Sequence, residues 1–447
     1  MRMDNCPFDL LALFCDWLWE PRDLASVSST SRSLCRAATP RLYSSLRFGA
    51  KQAAKWRHEA SFIHTINRRC DLGEYVRSID IVMVPLGPSG PDQTFYSMCT
   101  RAIEICHNLH SFSSVPLQTN QCATYMVEKL LSLRGPSLSS LRLPSGVVGT
   151  LEVLGTCTSL SELHLERPSH VLLSALPTWI DALTSTLRSF SLSDSNVSKE
   201  LLDDVLSRAP GIITLSIKHC SSIGLTDLLI LVSKNLPELE SLSVALMNGY
   251  MPVGDFDATL TNLRSFSIEI GTTGLTSNGS DKRSMDTQPW TSALRCIKNS
   301  PLQSLTLKKS SAPAVLPSEP VPLSILWEDK QPPPLKRLVV WGSNLTLDAV
   351  QKICMVFEHL EVLGVHFSGL STARACNVLN KARNLHTILD NRSRGIRPDI
   401  VRALLISTKL RRIYLDREHW EIYSSVQKTN TGELTIVREI RFSVSQR

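Results

Sequence analysis

The chain has 447 residues, 43% of them apolar and 20% charged, with a formal net charge of +7. These proportions exclude wholesale disorder and leave room for two or three ordinary domains, or for one small domain followed by an array. The positive charge is spread too thinly to point to nucleic acid without a local patch.

The opening MRMDNCPFD places acids where a signal peptide would stay apolar, and no run of about eighteen apolar residues could span a bilayer. The 12 cysteines include no C-x-x-C pair. We therefore expect free, mostly buried thiols, a cytoplasmic and/or nuclear location, no membrane association and no cofactor. The sequons at Asn196, Asn278, Asn344 and Asn391 are then chance matches.

In chain order, Leu10, Leu11, Phe14, Trp17 and Leu18 recur at helical spacing and predict a first helix with one broad apolar stripe. Asp4 or Asn5 can cap it, Pro7 suits its first turn, and the Glu20-Pro21 step ends it. Pro21 opens a second helix with Leu24 and Val27 inward. Thr30 or Ser31 caps a third, carrying Leu34, Ala37 and Ala38 and stopping before Pro40. Three short helices make a very small core, which usually leans on a partner or a neighbouring domain.

The order and spacing of Pro7-x-Asp9-Leu10, Phe14, Leu18, Asp23-Leu24, Val27, Ser31-Arg32, Leu34 and Ala37 resemble the F-box family. The resemblance implies that Pro7, Leu10, Leu11, Phe14, Leu18, Leu24, Val27 and Leu34 dock on a Skp1-like adaptor and, through it, on a cullin-RING ubiquitin ligase. Cys6, Asp9, Thr30 and Leu34 depart from that family's usual leucine, glutamate, valine and aromatic residue. The other reading of the same helices is an ordinary N-terminal cap.

From there one unit recurs: an apolar residue, two variable ones, an apolar, one variable, an apolar. It reads LSSLRL (138–143), LSELHL (160–165), LRSFSL (187–192), IITLSI (212–217), LESLSV (239–244) and LRSFSI (263–268). It continues as LQSLTL (302–307), LKRLVV (335–340), LEVLGV (360–365) and LRRIYL (410–415), with LHTILD (385–390) as a degraded copy. VRSIDI (76–81) and Leu109–Phe112 read as earlier copies, and the last three intervals are all 25 residues. This is the leucine-rich-repeat signature, a strand and a helix per unit, in a divergent form without a cysteine or asparagine ladder. Ser198, Thr226 and Thr346 read as helix starts between strands. An F-box followed by such repeats resembles the fungal-type ligase substrate receptors.

The expected fold is α/β: a small three-helix F-box (1–48), a helical linker (49–75), divergent repeats (76–416) with a parallel sheet on the concave face, and a C-terminal cap (417–447) read as a hairpin around Asn430-Thr431-Gly432. Polar, Gly-rich 271–290 and proline-rich 310–334 read as loop inserts leaving the array, either binding elements or solvated excursions.

Strand alternation assigns the residues flanking each central apolar position to the inner face. That column holds Arg142, Glu162, His164 and Glu166 early. In the middle it holds Ser189, Ser191, Ser193, Thr214, Ser216, Ser241, Ser243, Ser265 and Ser267. Late, it holds Thr306, Lys308, Arg337, Trp341, His366, Arg412 and Tyr414. The hydroxyl-rich centre leaves room, and the late cations and aromatics could hold an acidic or phosphorylated protein substrate, or could simply be solvated. No G-x-S-x-G, G-x-x-x-x-G-K, H-E-x-x-H or G-x-G-x-x-G occurs, and Cys106-His107-x-x-His110 lacks a second ligand pair. The expectation is a non-catalytic substrate-recognition subunit of an SCF ligase, with no catalytic or metal residue. The alternative is a repeat scaffold that binds a protein without a role in ubiquitination.

Overall fold

The computed structural model describes residues 6–18, 20–56, 61–87, 90–114, 121–143, 151–246, 258–271, 288–310, 322–327, 331–345, 347–366, 372–390, 398–415, 418–428 and 434–444. The caps read at Asp4, Asn5 and Thr346, Trp19, the turn at 430–432 and most of both inserts lie outside the described residues. Of the proline-rich insert, 322–327 form a short turn with Leu323 and Leu326 buried and Trp327 edge-on to Phe357 at 5.4 Å, so this part packs on the array instead of leaving it. Two compact units divide the chain, Met1–Ile212 and Ile213–Arg447.

The first unit begins with α1 (Phe8–Asp16), α2 (Pro21–Ser28) and α3 (Arg32–Ser44). It continues with β1 (Ser45–Phe48), α4 (Ala50–Ala54), α5 (Phe62–Arg68), β2 (Ser78–Ile81), the short pair β3 (Leu86–Gly87) and β4 (Gly90–Pro91), and α6 (Gln93–Ile105). Then come β5 (Ser111–Ser114), α7 (Gln121–Arg134), β6 (Ser140–Leu143), α8 (Leu151–Leu154), β7 (Glu162–Glu166), α9 (His170–Ala182), β8 (Ser189–Ser193) and α10 (Lys199–Arg208). Strands β1, β2, β5, β6, β7 and β8 pair in that order, all parallel.

The second unit holds β9 (Thr214–Lys218), α11 (Leu225–Asn235), β10 (Ser241–Leu246), β11 (Ser265–Gly271), α12 (Gln288–Ile297), β12 (Ser304–Ser310) and β13 (Arg337–Asn344). It continues with α13 (Leu347–Val356), β14 (Val362–His366), α14 (Thr372–Asn380), β15 (Thr387–Asp390), α15 (Pro398–Ser407), β16 (Arg412–Leu415), β17 (Glu418–Lys428) and β18 (Leu434–Val444). Here β9 to β16 pair in sequence and parallel. β17 runs antiparallel to β16, and β18 antiparallel to β17. The weak copy LHTILD forms β15, with Asp390 buried in register with Leu415.

The repeat motif folds as it does because its apolar positions are two residues apart in the strand. Phe190 and Leu192, Leu215 and Ile217, and Phe266 and Ile268 all lie on the helix-facing side and are buried, while the residues between them stay on the open side. Each buried leucine of this kind contributes roughly 1.5–3 kcal/mol. Ser31, Ser61, Ser169 and Ser198 cap α3, α5, α9 and α10 by accepting a backbone N–H of the first turn. Thr226 lies inside α11, whose N-cap is Gly224.

Neighbouring repeats are tied by one carbonyl per unit that accepts two successive N–H groups from the next. His110 receives Ser139 and Ser140, and Ser161 receives Arg188 and Ser189. In the second unit Glu240 receives Arg264 and Ser265, and His386 receives Arg411 and Arg412, all at 2.8–3.1 Å. Arg167, Asp194 and His219, each directly after β7, β8 or β9, have φ of 48°, 50° and 54°. A left-handed residue at the strand exit is thus a repeating device despite its side-chain cost. It aims the Arg167 amide at the Ser193 carbonyl.

Besides Thr226 and the turn at 322–327, two expectations need correction. The sheet starts at Ser45, before VRSIDI, since β1 pairs with β2 and so belongs to the repeat ladder and not to the helical segment. This copy reads YSSLRF (43–48), with Tyr43 in place of the opening leucine, which hides it. Helix α3 also runs through Pro40 to Ser44 instead of stopping before it. The missing Pro40 amide leaves the carbonyl of Arg36 without its helical partner, and Arg36 is exposed.

Candidate protein-docking surfaces

Helix α1 is apolar on nearly every side, because FDLLALFCD offers a single acid in its first turn. Its inner edge joins a small core: Leu11 and Cys15 pack with Leu24 of α2 and Leu34, Ala37 and Ala38 of α3. Leu18, Val27, Leu42 and Cys6 lie partly buried against them. The predicted single stripe is therefore two surfaces. Trp17 is 77% exposed, Leu13 55%, Leu10 53%, Phe8 51% and Phe14 42%, and Pro7 is exposed beside them. Of the residues assigned to adaptor docking, Pro7, Leu10 and Phe14 thus point outward. Leu11, Leu24 and Leu34 are inside the three-helix core, and Leu18 and Val27 lie at its rim. Phe8 and Leu13 were not assigned to docking, although Phe8 stands three residues before Leu11 and Leu13 three after Leu10. Leu10, Leu13, Phe14 and Trp17 share one side by their three- and four-residue spacing, with Phe8 exposed elsewhere on the helix, and four large apolar side chains together in the open are not a normal monomer surface.

The open face of the first unit's sheet is ordered in rows by the parallel register. One row runs Ser45, Ser78, Ser111, Ser140, Glu162 and Ser189, and the next Arg47, Asp80, Ser113, Arg142, His164 and Ser191. Its charges are answered locally. Arg47 Nε lies 3.4 Å from Asp80, Arg142 donates to Glu166 at 2.8 Å, and the Ser140 hydroxyl donates to Glu162 at 2.9 Å.

In the second unit one row reads Thr214, Ser241, Ser265, Ser304, Arg337, Val362, Thr387 and Arg412, and the next Ser216, Ser243, Ser267, Thr306, Val339, Gly364, Leu389 and Tyr414. The hydroxyl-rich stretch therefore gives way to an apolar one at Val339, Gly364 and Leu389, of which Val339 and Gly364 are buried and only Leu389 is partly open. The late cations are unequal. Lys308 is held between Glu269 (3.9 Å) and the ring of Trp341 (4.7 Å to its centre), and Arg412 lies 2.5 Å from Glu421. Arg337 is exposed, with no ion pair among the described residues. Tyr414 is 36% exposed, while the side chain of His366 lies outside the described residues.

Cys106, His107 and His110 face different partners. Cys106 is buried, His107 Nδ1 takes a hydrogen bond from Arg134 at 3.1 Å, and His110 Nδ1 donates to the Ser137 carbonyl at 3.0 Å. Among the described residues no group of three His, Cys, Asp or Glu side chains could hold a metal ion. No described helix is long and apolar enough to cross a membrane. Burial pushes the thiols of Cys106 and Cys296 up to about 12 and those of Cys157 and Cys354 to about 11, far from nucleophilic readiness.

No family model matches the chain, and no curated protein does. Among solved structures it is similar to the Rad7 and Elc1 complex in yeast, at 13% identity, covering 81% of this chain and 90% of that one with a TM-score of 0.47. It is also similar to the leucine-rich repeat-containing protein LegL7 from Legionella pneumophila, at 16% identity, covering 73% and 97% with a TM-score of 0.37. A third is a TLR13–ssRNA13 complex, at 16% identity and TM-score 0.35, where the match covers 71% of this chain but only 44% of that one. The chain is an α/β array of leucine-rich-repeat type. That assignment rests on its own parallel strand register and on the alternation of strand and helix.

Proposed function

We propose that this chain is the non-catalytic substrate-recognition subunit of an SCF-type ubiquitin ligase. In this reading α1–α3 dock a Skp1-like adaptor, and through it a cullin, while the open sheet faces select a target protein. Catalysis by the ligase is then proximity: the subunit holds cargo near a ubiquitin-loaded enzyme and does no bond chemistry itself. The observation that carries the reading is the exposed set Leu10, Leu13, Phe14 and Trp17 on a helix whose opposite edge is already packed. A helix that only capped the array would have no use for that second apolar surface.

A pull-down separates the readings. The intact chain is expected to retain a Skp1-like adaptor, and Leu10→Asp with Phe14→Asp to lose it, with thermal stability changed by less than about 0.5 kcal/mol because both sites are open. Leu11→Ala, in the core, is expected to cost about 2–4 kcal/mol. Retention of the adaptor by the double variant, or no adaptor on the intact chain, would sink the ligase reading. It would leave the second one, a repeat scaffold whose front helices are a cap. The direct run of α3 into β1 and the Arg77 amide donating to the Ser44 carbonyl at 2.9 Å favour that second reading.

A further inference from the structure

Three segments of the second unit meet at the N-terminal ends of β15 and β16. Residues 383–386 lead into β15, residues 408–411 lead into β16, and Glu421 and Ile422 of β17 stand alongside. They enclose a groove of about 810 Å³. Leu385, Leu405 and Leu410 give it a buried apolar floor. Arg383, Lys409 and Arg411 stand exposed on its walls, and among the described residues none of them has an acidic partner. Two acids nearby are committed, Glu421 to Arg412 at 2.5 Å, and Glu361 to Lys336 at 3.9 Å and His386 at 3.8 Å. Like charges gathered around one concavity repel each other and concentrate an anion there. The groove is at the strand ends and meets the open sheet face at Arg412, which lines it.

We propose that this groove binds an acidic peptide segment of a partner protein. Carboxylate or phosphate oxygens on the segment are met by Arg383, Lys409 and Arg411, and its apolar side chains rest on the leucine floor. Arginine's fork suits both oxyanions. A single-stranded nucleic acid is disfavoured because, among the described residues, no Phe, Tyr or Trp lines the groove to stack a base. As the place where cargo is held, the site rests on the receptor reading above, whereas the binding itself can be measured on the isolated chain.

The test is fluorescence anisotropy on the full chain with four labelled probes. These are a Glu- and Leu-containing octapeptide, its phosphoserine counterpart, its Gln counterpart and an oligothymidine of equal charge. The two acidic peptides are expected to bind and the Gln peptide not to. Arg383→Ala and Arg411→Ala should each weaken binding about fivefold, and the triple change with Lys409→Ala about fiftyfold or more. Lys51→Ala, in α4, should change nothing. A phosphoserine peptide bound more than about tenfold tighter than the Glu peptide identifies phosphate as the ligand group, and near-equality identifies carboxylate. Unaltered affinity in the triple variant, no binding of either acidic peptide, or tighter binding of the oligothymidine would overturn the proposal. The Leu10→Asp, Phe14→Asp protein should still bind the peptides, so loss of adaptor capture and loss of groove binding fail independently.

Discussion

Gly364 of β14 lies opposite Val339 of β13, and a β-carbon added there would come 2.9 Å from Val339 Cγ1, 3.0 Å from Cγ2 and 3.2 Å from its Cα. The crowding is with a branched side chain and with backbone, so it has nowhere to relax. Gly364→Ala is expected to cost about 1–3 kcal/mol in thermal unfolding, with Val339→Ala recovering part of it. An unchanged Tm for the single variant would contradict this close packing. His64 is buried, with Nδ1 2.9 Å from the Ser61 hydroxyl and its ring 4.4 Å from that of Trp56. Burial lowers its pKa below the ordinary 6.5, so the unfolded chain takes up a proton while the folded one stays neutral. Stability should be level above about pH 6.5 and should fall as pH drops below it toward the folded pKa. Melting curves at successive pH values check this, and His64→Gln should flatten the slope; a slope unchanged by that substitution would place the titration elsewhere.

At the scale of elements, the missing asparagine ladder proves to be displaced. Asn108, Asn262 and Asn384 each stand just before the leucine that opens a repeat. Each donates its side-chain amide to a carbonyl of the preceding repeat: Glu74 (2.8 Å), Pro237 (2.7 Å) and Glu358 (2.9 Å). These asparagines stand outside the strand motif, at the helix-to-strand turn, where a carbonyl is left over. Asn262→Ala is expected to cost about 1 kcal/mol by denaturant unfolding, and a neutral result would mean that water replaces the amide without loss. Helix α1 teaches the complementary point. Its spacing announced a helix, but FDLLALFCD is too apolar for periodicity to say which edge is inside. That choice came from α3, whose Leu34, Ala37 and Ala38 receive Leu11 and Cys15.

For the whole molecule, the repeat architecture explains the cysteines. Cys99, Cys106, Cys157, Cys296 and Cys354 are buried, and desolvation raises each thiol's pKa, that of Cys99 well above its ordinary value. Cys35 and Cys70 are exposed. A colorimetric thiol reagent at pH 8 should modify Cys35 and Cys70 quickly in the native protein and those five only on unfolding. Fast native labelling of any of the five, located by peptide mapping, would show that its repeat opens locally.

The amino-acid sequence by itself determined the repeat period, the strand positions and their buried residues, since both periodicities are local and a strand's two faces follow from alternation alone. It also marked the N-terminal helices. The tertiary structure decided what local pattern cannot carry: which edge of α1 is left open, and which late cations are already spent on Glu269, Trp341 and Glu421. It also brought Arg383, Lys409 and Arg411 together around one groove. Those outcomes depend on residues from separate repeats meeting in space, and neighbours made by folding leave no period in the chain to be read.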